Sequence, residues 1–147
     1  MRHFDGMVGL GIALVVAQHS AAQDNVTLTR IDEALKAAAS FETGADSGPL
    51  QEIEKLVFQL PTDSELRGPM EQKLIAALDS DATTDAKRFL CRQLRVIGTE
   101  KCVPSLANLL TDPQLSHLAR YALGRLQVPA ASEALLVALD LSLIHIS

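Results

Sequence analysis

Apolar residues recur at spacings of three and four along most of this 147-residue chain, and an alternation of period two is nowhere sustained. Such spacing predicts amphipathic α-helices and argues against β-strands. Aromatic residues make up only 3% of the chain, so a core must be built from leucine, alanine, valine and isoleucine. This composition favours helices packed on helices over a β-sandwich, and the sequence therefore predicts an all-α fold.

Seven helices are predicted, and capping residues, prolines and glycines separate them. The first covers 28–41 and the second 50–60. Thr62 and Glu65 have the spacing of a capping box, which predicts the start of the third helix, with a kink or a split at 68–69. The other boundaries are predicted at Thr83 or Thr84, Gly98, Pro104, Asp112 with Pro113, and Pro129.

The helices repeat with a period of about 30 residues. At an offset of 32, Leu74 and Leu78 fall on Leu106 and Leu110, which indicates an early copy over 50–80. A single helix pair cannot bury its own apolar stripe and must stack on the next pair, so the period predicts an α-solenoid of about three helical hairpins preceded by an N-terminal helix. At an offset of 29, the match is closer: Leu90, Leu94, Ile97, Leu106 and Leu110 fall on Ala119, Leu123, Leu126, Leu135 and Leu139.

Three segments of this region resemble HEAT repeats: AKRFLCRQLRVIG over 86–98, CVPSLANLLTD over 102–112 and HLARYALGRL over 117–126. The match lies in the pattern Ala-Arg-x-x-Ala-Leu-x-x-Leu of the first helix and Leu-x-x-Leu-Leu, ending in Asp-Pro, of the second. The chain is similar, more narrowly, to secreted HEAT-repeat proteins of planctomycete-type bacteria. The resemblance spans about 50–140 and implies scaffolding and protein binding. The earliest copy lacks the Ala-Arg motif, and 28–49 match no repeat.

Residues 1–22 have the three-part layout of a secretory signal peptide. Arg2 and His3 precede an apolar run over 7–17, and Ser20 and Ala22 take the −3 and −1 positions of a cleavage site. The run is shorter than the roughly 20 residues of a bilayer-spanning helix. We expect export to the periplasm or beyond, without stable membrane insertion after cleavage. An uncleaved membrane anchor, or an apolar helix folded into the domain, is the open alternative.

The last seven residues, LSLIHIS over 141–147, resemble the translation of a transposase mosaic-end adapter used in sequencing libraries. A tail of that origin does not belong to the fold; a genuine amphipathic helix end is the alternative. On the first interpretation the natural protein continues past Asp140. The expected organisation is then a signal peptide over 1–22, a helix and linker over 23–49, and HEAT-like repeats over 50–140. The seventh helix should lack an outer neighbour, which predicts partial exposure of Leu135, Leu136 and Leu139.

Residues with catalytic or metal-binding chemistry are few. Only His117 lies between the predicted signal and tail, so a metal site of several imidazoles or a histidine-activated nucleophile is not expected there. Cys91 and Cys102 suit a disulfide in an exported chain, but their helical spacing favours separate buried thiols, and both possibilities stay open. We predict no enzymatic activity, no metal and no other cofactor.

The net charge of −5 argues against nucleic-acid binding, which requires grouped lysine and arginine. Lys87, Arg88, Arg92 and Arg95 do recur at helical spacing, and we interpret them as a solvated helix face.

The expected function is that of a non-catalytic exported scaffold or protein-binding module, part of a longer protein. Its partner is expected on the face of the second helices of the hairpins, the third, fifth and seventh helices. The alternative is the N-terminal accessory region of a larger exported enzyme or electron-transfer protein whose active site lies beyond residue 140. Candidate partner-binding residues between the leucines of that face are Lys73, Ser105, Asn108 and Glu133.

Overall fold

The computed structural model describes residues 5–144, with side chains from residue 14 onward. Arg2 and His3 of the predicted signal, and the end of the predicted tail from His145, lie outside the described residues. Between 5 and 144 the chain forms seven α-helices and no strand, which confirms the predicted all-α fold. The helices are α1 (Asp5–Ala38), α2 (Gly48–Gln59), α3 (Arg67–Leu78), α4 (Thr84–Ile97), α5 (Val103–Asn108), α6 (Ser116–Leu126) and α7 (Pro129–Ile144).

The helices pack in two rows. One row contains α1, α3, α5 and α7, and the other contains α2, α4 and α6. Across the rows α1 packs on α2, α3 on α4, and α6 on both α5 and α7; within a row the closest packing is between α4 and α6. The apolar stripe of each helix faces the other row, so a single core forms between them. Its fully buried large aliphatic side chains are Ile31, Ile53, Met70, Leu74, Leu78, Leu94, Leu106 and Leu123.

The boundaries of α4 follow the sequence prediction. Thr83 caps the helix, because its hydroxyl accepts a hydrogen bond from the backbone N–H of Ala86 at 3.2 Å. The helix ends at Gly98, where a Cβ atom would lie 2.3 Å from the carbonyl oxygen of Leu94 and 2.8 Å from Sγ of Cys102. Glycine is therefore required here by close packing, since its φ of −61° is one that any residue adopts.

The predicted capping box at Thr62 and Glu65 is wrong, because α3 begins only at Arg67 and its first residue receives no side-chain cap. Residues 61–67 form turns instead. A helix that started at Thr62 would place Pro69 in its interior, where the missing N–H and the ring clash cost about 3 kcal/mol. Starting at Arg67 places Pro69 in the first turn, where both costs disappear.

Both terminal helices continue past the segment boundaries that the sequence predicts. α1 continues through the predicted cleavage point after Ala22, and every side chain described from 14 to 22 is exposed. From residue 14 onward, the first buried residue of α1 is Ile31. α7 continues past Asp140.

The expected exposure on α7 is confirmed. Leu136 is 62% exposed, Leu139 is 56% exposed and Leu135 is half-buried. No helix within 5–144 is both long and apolar enough to cross a bilayer.

Polar contacts join the start of α4 to the loop that follows α1. The Thr83 hydroxyl donates to the carbonyl oxygen of Phe41. Asp85 accepts hydrogen bonds from the backbone N–H and the hydroxyl of Thr43, at 2.8 and 2.9 Å. These two bonds, together with the positive charge of Arg88, hold the pKa of Asp85 below its ordinary value of 3.8.

Candidate functional site

Two of the four residues predicted to bind a partner are already engaged within the fold. Lys73 is half-buried in α3, and its ammonium group donates to both carboxylate oxygens of Asp32 at 2.7 Å. Ser105 is only 7% exposed, so its predicted exposure is wrong. The end of α3 lies against it, and its hydroxyl donates to Oδ2 of Asp79 at 2.7 Å.

The other two predicted residues are available to a partner. Asn108 at the end of α5 and Glu133 in the second turn of α7 are both exposed. The row of second helices therefore presents two of the four predicted side chains.

Another surface feature lies on the opposite row. A cleft of about 410 Å³ opens between α2 and α4, and it is within the range of about 300–1,000 Å³ usual for ligand pockets. We call it the α2–α4 cleft. Side chains from both helices line it, chiefly Glu54, Phe58, Phe89, Arg92, Arg95 and Val96.

The cleft combines a buried apolar floor with an exposed apolar rim. Val57 and Phe89 form part of the floor and are 2% and 5% exposed. Phe58 and Val96 are 86% and 59% exposed, although both are large and apolar. Scattered exposed apolar residues are ordinary on protein surfaces, but two of them on the rim of one cleft offer a partner apolar surface to bury.

Two arginines on the α4 wall of the cleft are held by aromatic rings. The guanidinium carbon of Arg92 lies 6.0 Å from the ring centroid of Phe89. That of Arg95 lies 4.2 Å from the ring of Tyr121, a residue of α6 that is 53% exposed. A cation–π contact fixes where a guanidinium lies but leaves its N–H groups available to an acceptor.

Sequence analysis missed Phe58 and Val96 because neither belongs to an apolar stripe. A large apolar residue outside the stripe was the available signal in each helix. No local sequence pattern predicts that Phe58 and Val96 lie on one cleft, because α2 and α4 are separated in the chain by α3 and its loops.

The most enclosed polar group lies between α3 and α5. Glu71 is 1% exposed, and its carboxylate accepts hydrogen bonds from the backbone N–H of Thr99 at 2.6 Å and from the Thr99 hydroxyl at 2.9 Å. Thr99 precedes the short 3-10 turn Glu100–Cys102 that leads into α5. Since these bonds occupy the carboxylate, Glu71 acts as a buried cap that ties α3 to the start of α5.

Cys91 and Cys102 are both buried free thiols. Burial raises the pKa of the Cys91 thiol to about 11, and burial together with the charge of Glu71 raises the pKa of Cys102 to about 11. Both thiols are therefore protonated near neutral pH and are poor nucleophiles there.

No group of three histidine, cysteine or acidic side chains in the part of the chain that the structure describes is placed to hold a metal ion. His117 is exposed in the first turn of α6. Comparisons of the chain with protein-family models, with curated proteins and with solved structures find no match. Membership of the HEAT-repeat family therefore stays a prediction.

Proposed function

We propose that this chain is a non-catalytic HEAT-like module of an exported protein and that it binds a protein partner. The main support is the agreement between the sequence repeat and burial. Leu90 and Ala119, one repeat apart, are both buried, as are Leu94 and Leu123. The burial of both members of each pair supports a repeated arrangement of helices.

The agreement weakens toward the C-terminal end of the repeats, since Leu126 is already half-buried where its equivalent Ile97 is buried. Leu106 is fully buried, whereas its equivalent Leu135 is half-buried, and Leu139 is 56% exposed although its equivalent Leu110 is half-buried. α7 is the last helix of its row within the described residues, and no helix among them covers its outer side. This supports an array that continues beyond α7 in the complete protein.

Export is supported by the way α1 is packed. Removal of 1–22 would take away no side chain that the structure shows as buried, because those from 14 to 22 are all exposed. It would also remove exposed apolar surface at Leu14, Val15 and Val16. Among the side chains of α1 described from residue 14 onward, the core contacts begin at Ile31 and are retained in the remaining helix.

Export is tested by expressing the full chain in a bacterium and sequencing the N-terminus of the protein in each cell fraction. We expect a periplasmic protein that begins at Gln23. An Ala22→Arg variant is the matched control, because a large charged side chain at the −1 position blocks cleavage. An unprocessed chain confined to the cytoplasm would contradict the proposal of export.

Protein binding is tested by site-specific photo-crosslinking in cells of the source organism. A photoreactive residue is introduced separately at Asn108, for the row of second helices, at Phe58, for the α2–α4 cleft, and at exposed Asp81 as the control. A protein-binding module gives a discrete crosslinked species from one face that is absent from the control. Equal, diffuse labelling from all three positions would contradict it.

The rival function has a separate test, which is to read the source gene beyond the codon for Asp140. Further helix pairs of the same period support the module proposed here. A catalytic motif, or a Cys-x-x-Cys-His haem attachment motif, would instead identify this chain as the accessory region of an exported enzyme or electron-transfer protein.

A further inference from the structure

Basic side chains are concentrated on two neighbouring helices of a chain that is acidic overall. α4 and α6 pack against each other and together contain six basic and one acidic side chain, whereas the net charge of the chain is −5. Two of these basic side chains, Arg92 and Arg95, line the α2–α4 cleft, so its α4 wall favours acidic ligands. The basic residues are Lys87, Arg88, Arg92, Arg95, Arg120 and Arg125.

The two arginines of the cleft are not neutralised within the described fold. Arg88 pairs with Asp85 at 2.9 Å, but no carboxylate of residues 14–144 lies within ion-pair distance of Arg92 or Arg95. Their contacts with Phe89 and Tyr121 position the two guanidinium groups before a ligand arrives. Guanidinium N–H groups bind carboxylates through paired hydrogen bonds, so the α4 wall is suited to an acidic side chain.

The exposed apolar rim of the cleft favours a ligand that carries an apolar group as well as a carboxylate. Phe58 and Val96 line the same cleft as the arginines and remain largely exposed. A ligand that covered them with an apolar side chain would remove that surface from water. Glu54, on the α2 wall, disfavours a ligand that presents carboxylates to both walls.

We infer that the α2–α4 cleft binds a short acidic segment of a protein partner in which a carboxylate adjoins a large apolar side chain. The carboxylate binds Arg92 and Arg95, and the apolar side chain packs on Phe58 and Val96. This inference rests on the proposed protein-binding function and places the partner on the row opposite the second helices.

A polynucleotide suits this cleft less well. Affinity for a strand depends on neutralising several phosphates with lysine or arginine, whereas the cleft offers two arginines with a carboxylate, Glu54, on the facing wall. The apolar rim, in turn, has a natural counterpart in leucine or phenylalanine side chains of a peptide.

The test is selection of a displayed library of random dodecapeptides on the immobilised full chain and, in parallel, on an Arg92→Gln/Arg95→Gln variant. We expect the wild type to enrich peptides that combine aspartate or glutamate with an adjacent leucine, isoleucine or phenylalanine. The variant should enrich none of these sequences. Absence of enrichment on the wild type, or the same acidic sequences on both proteins, would overturn the inference.

Fluorescence anisotropy then measures the most enriched peptide against single variants. Arg92→Gln and Phe58→Ser should each weaken binding about tenfold, and the same loss is expected between 50 and 500 mM salt. Glu54→Gln should tighten binding, because it removes the facing negative charge. Lys36→Gln, at an exposed position of α1 on the opposite row, is the matched control and should leave the affinity unchanged.

Phe58 is 86% exposed and Arg92 is exposed, so both variants should keep the fold, and circular dichroism checks this directly. If binding is instead lost on substitution of Asn108 or Glu133, the inference fails while the protein-binding function stands. If poly(U) RNA or phosphatidylglycerol vesicles bind in competition with the peptide and more tightly, the cleft recognises phosphate and the inference is overturned.

Discussion

Replacement of Glu71 should destabilise the fold more than any surface substitution. Its buried carboxylate accepts hydrogen bonds from both the backbone N–H and the hydroxyl of Thr99 and so fixes the start of α5 against α3. Glu71→Ala removes both acceptors. Glu71→Gln keeps the shape and one acceptor oxygen but loses the charge.

The magnitude follows from two opposing effects. A hydrogen bond to a charged group contributes about 1.5–3 kcal/mol, and Glu71 receives two from Thr99. Thr99 is exposed, so water replaces part of this loss, and removal of a buried charge recovers part of its desolvation cost. We expect Glu71→Ala to lower the free energy of unfolding by about 2–3 kcal/mol, and Glu71→Gln by about 1 kcal/mol.

Urea unfolding followed by circular dichroism measures these changes, and thermal unfolding should show a fall in Tm of roughly 10 °C for Glu71→Ala. Glu33→Ala is the matched control, because Glu33 is an exposed helical glutamate of α1; its change should stay within about 0.5 kcal/mol. The reasoning is refuted if Glu71→Ala falls within that same margin, or if Glu71→Gln is the more damaging of the two.

Three further predictions concern other contacts. Gly98→Ala should cost about 2–3 kcal/mol in urea unfolding, because its Cβ would overlap neighbouring atoms, whereas Gly124→Ala, with open space around it, should stabilise α6 by about 0.5–1 kcal/mol. Equal effects would contradict the packing argument. Cys91 and Cys102, whose pKa values are raised to about 11 by burial, should react with Ellman's reagent at pH 7.5 only as fast as the protein unfolds, and rapid labelling of the native protein would contradict this. Because the folded pKa of Asp85 is lowered, its stabilising effect is present above pH 3.8 and is lost as the pH falls through the folded pKa. The stability advantage of wild type over Asp85→Asn should therefore shrink below pH 3.8, and an advantage independent of pH would exclude this linkage.

The helices could be predicted from the sequence because their causes are local. Apolar spacing gives the buried face, the Thr83 hydroxyl caps the start of α4, and Pro129 opens α7. The same local reasoning failed at Thr62, where a good cap lies too close to a following proline. There the penalty for a proline in the helix interior exceeds the gain from a capping box.

Contacts between helices distant in the chain could not be predicted. Ser105 falls between apolar neighbours and was expected to face solvent, yet Asp79 at the end of α3 lies within hydrogen-bond distance of it. The α2–α4 cleft has the same origin, because the distance between Phe58 and Arg92 depends on how α2 and α4 pack. The helical period predicts which face of each helix is buried, but it does not predict which other helix packs against that face.

The distribution of hydrogen bonds between helices also predicts the order in which the helices unfold under a pulling force. Side-chain hydrogen bonds join the first five helices and their loops across long stretches of chain. They are made by Thr83, Asp85, Glu71 and Ser105. No side-chain hydrogen bond of the described set joins residues 116–143 to an earlier helix, so apolar packing and the Arg95–Tyr121 contact hold α6 and α7. Under a pulling force applied at its two ends, the protein should therefore unzip from α7 inward, with α1 to α5 yielding together as the last cooperative unit.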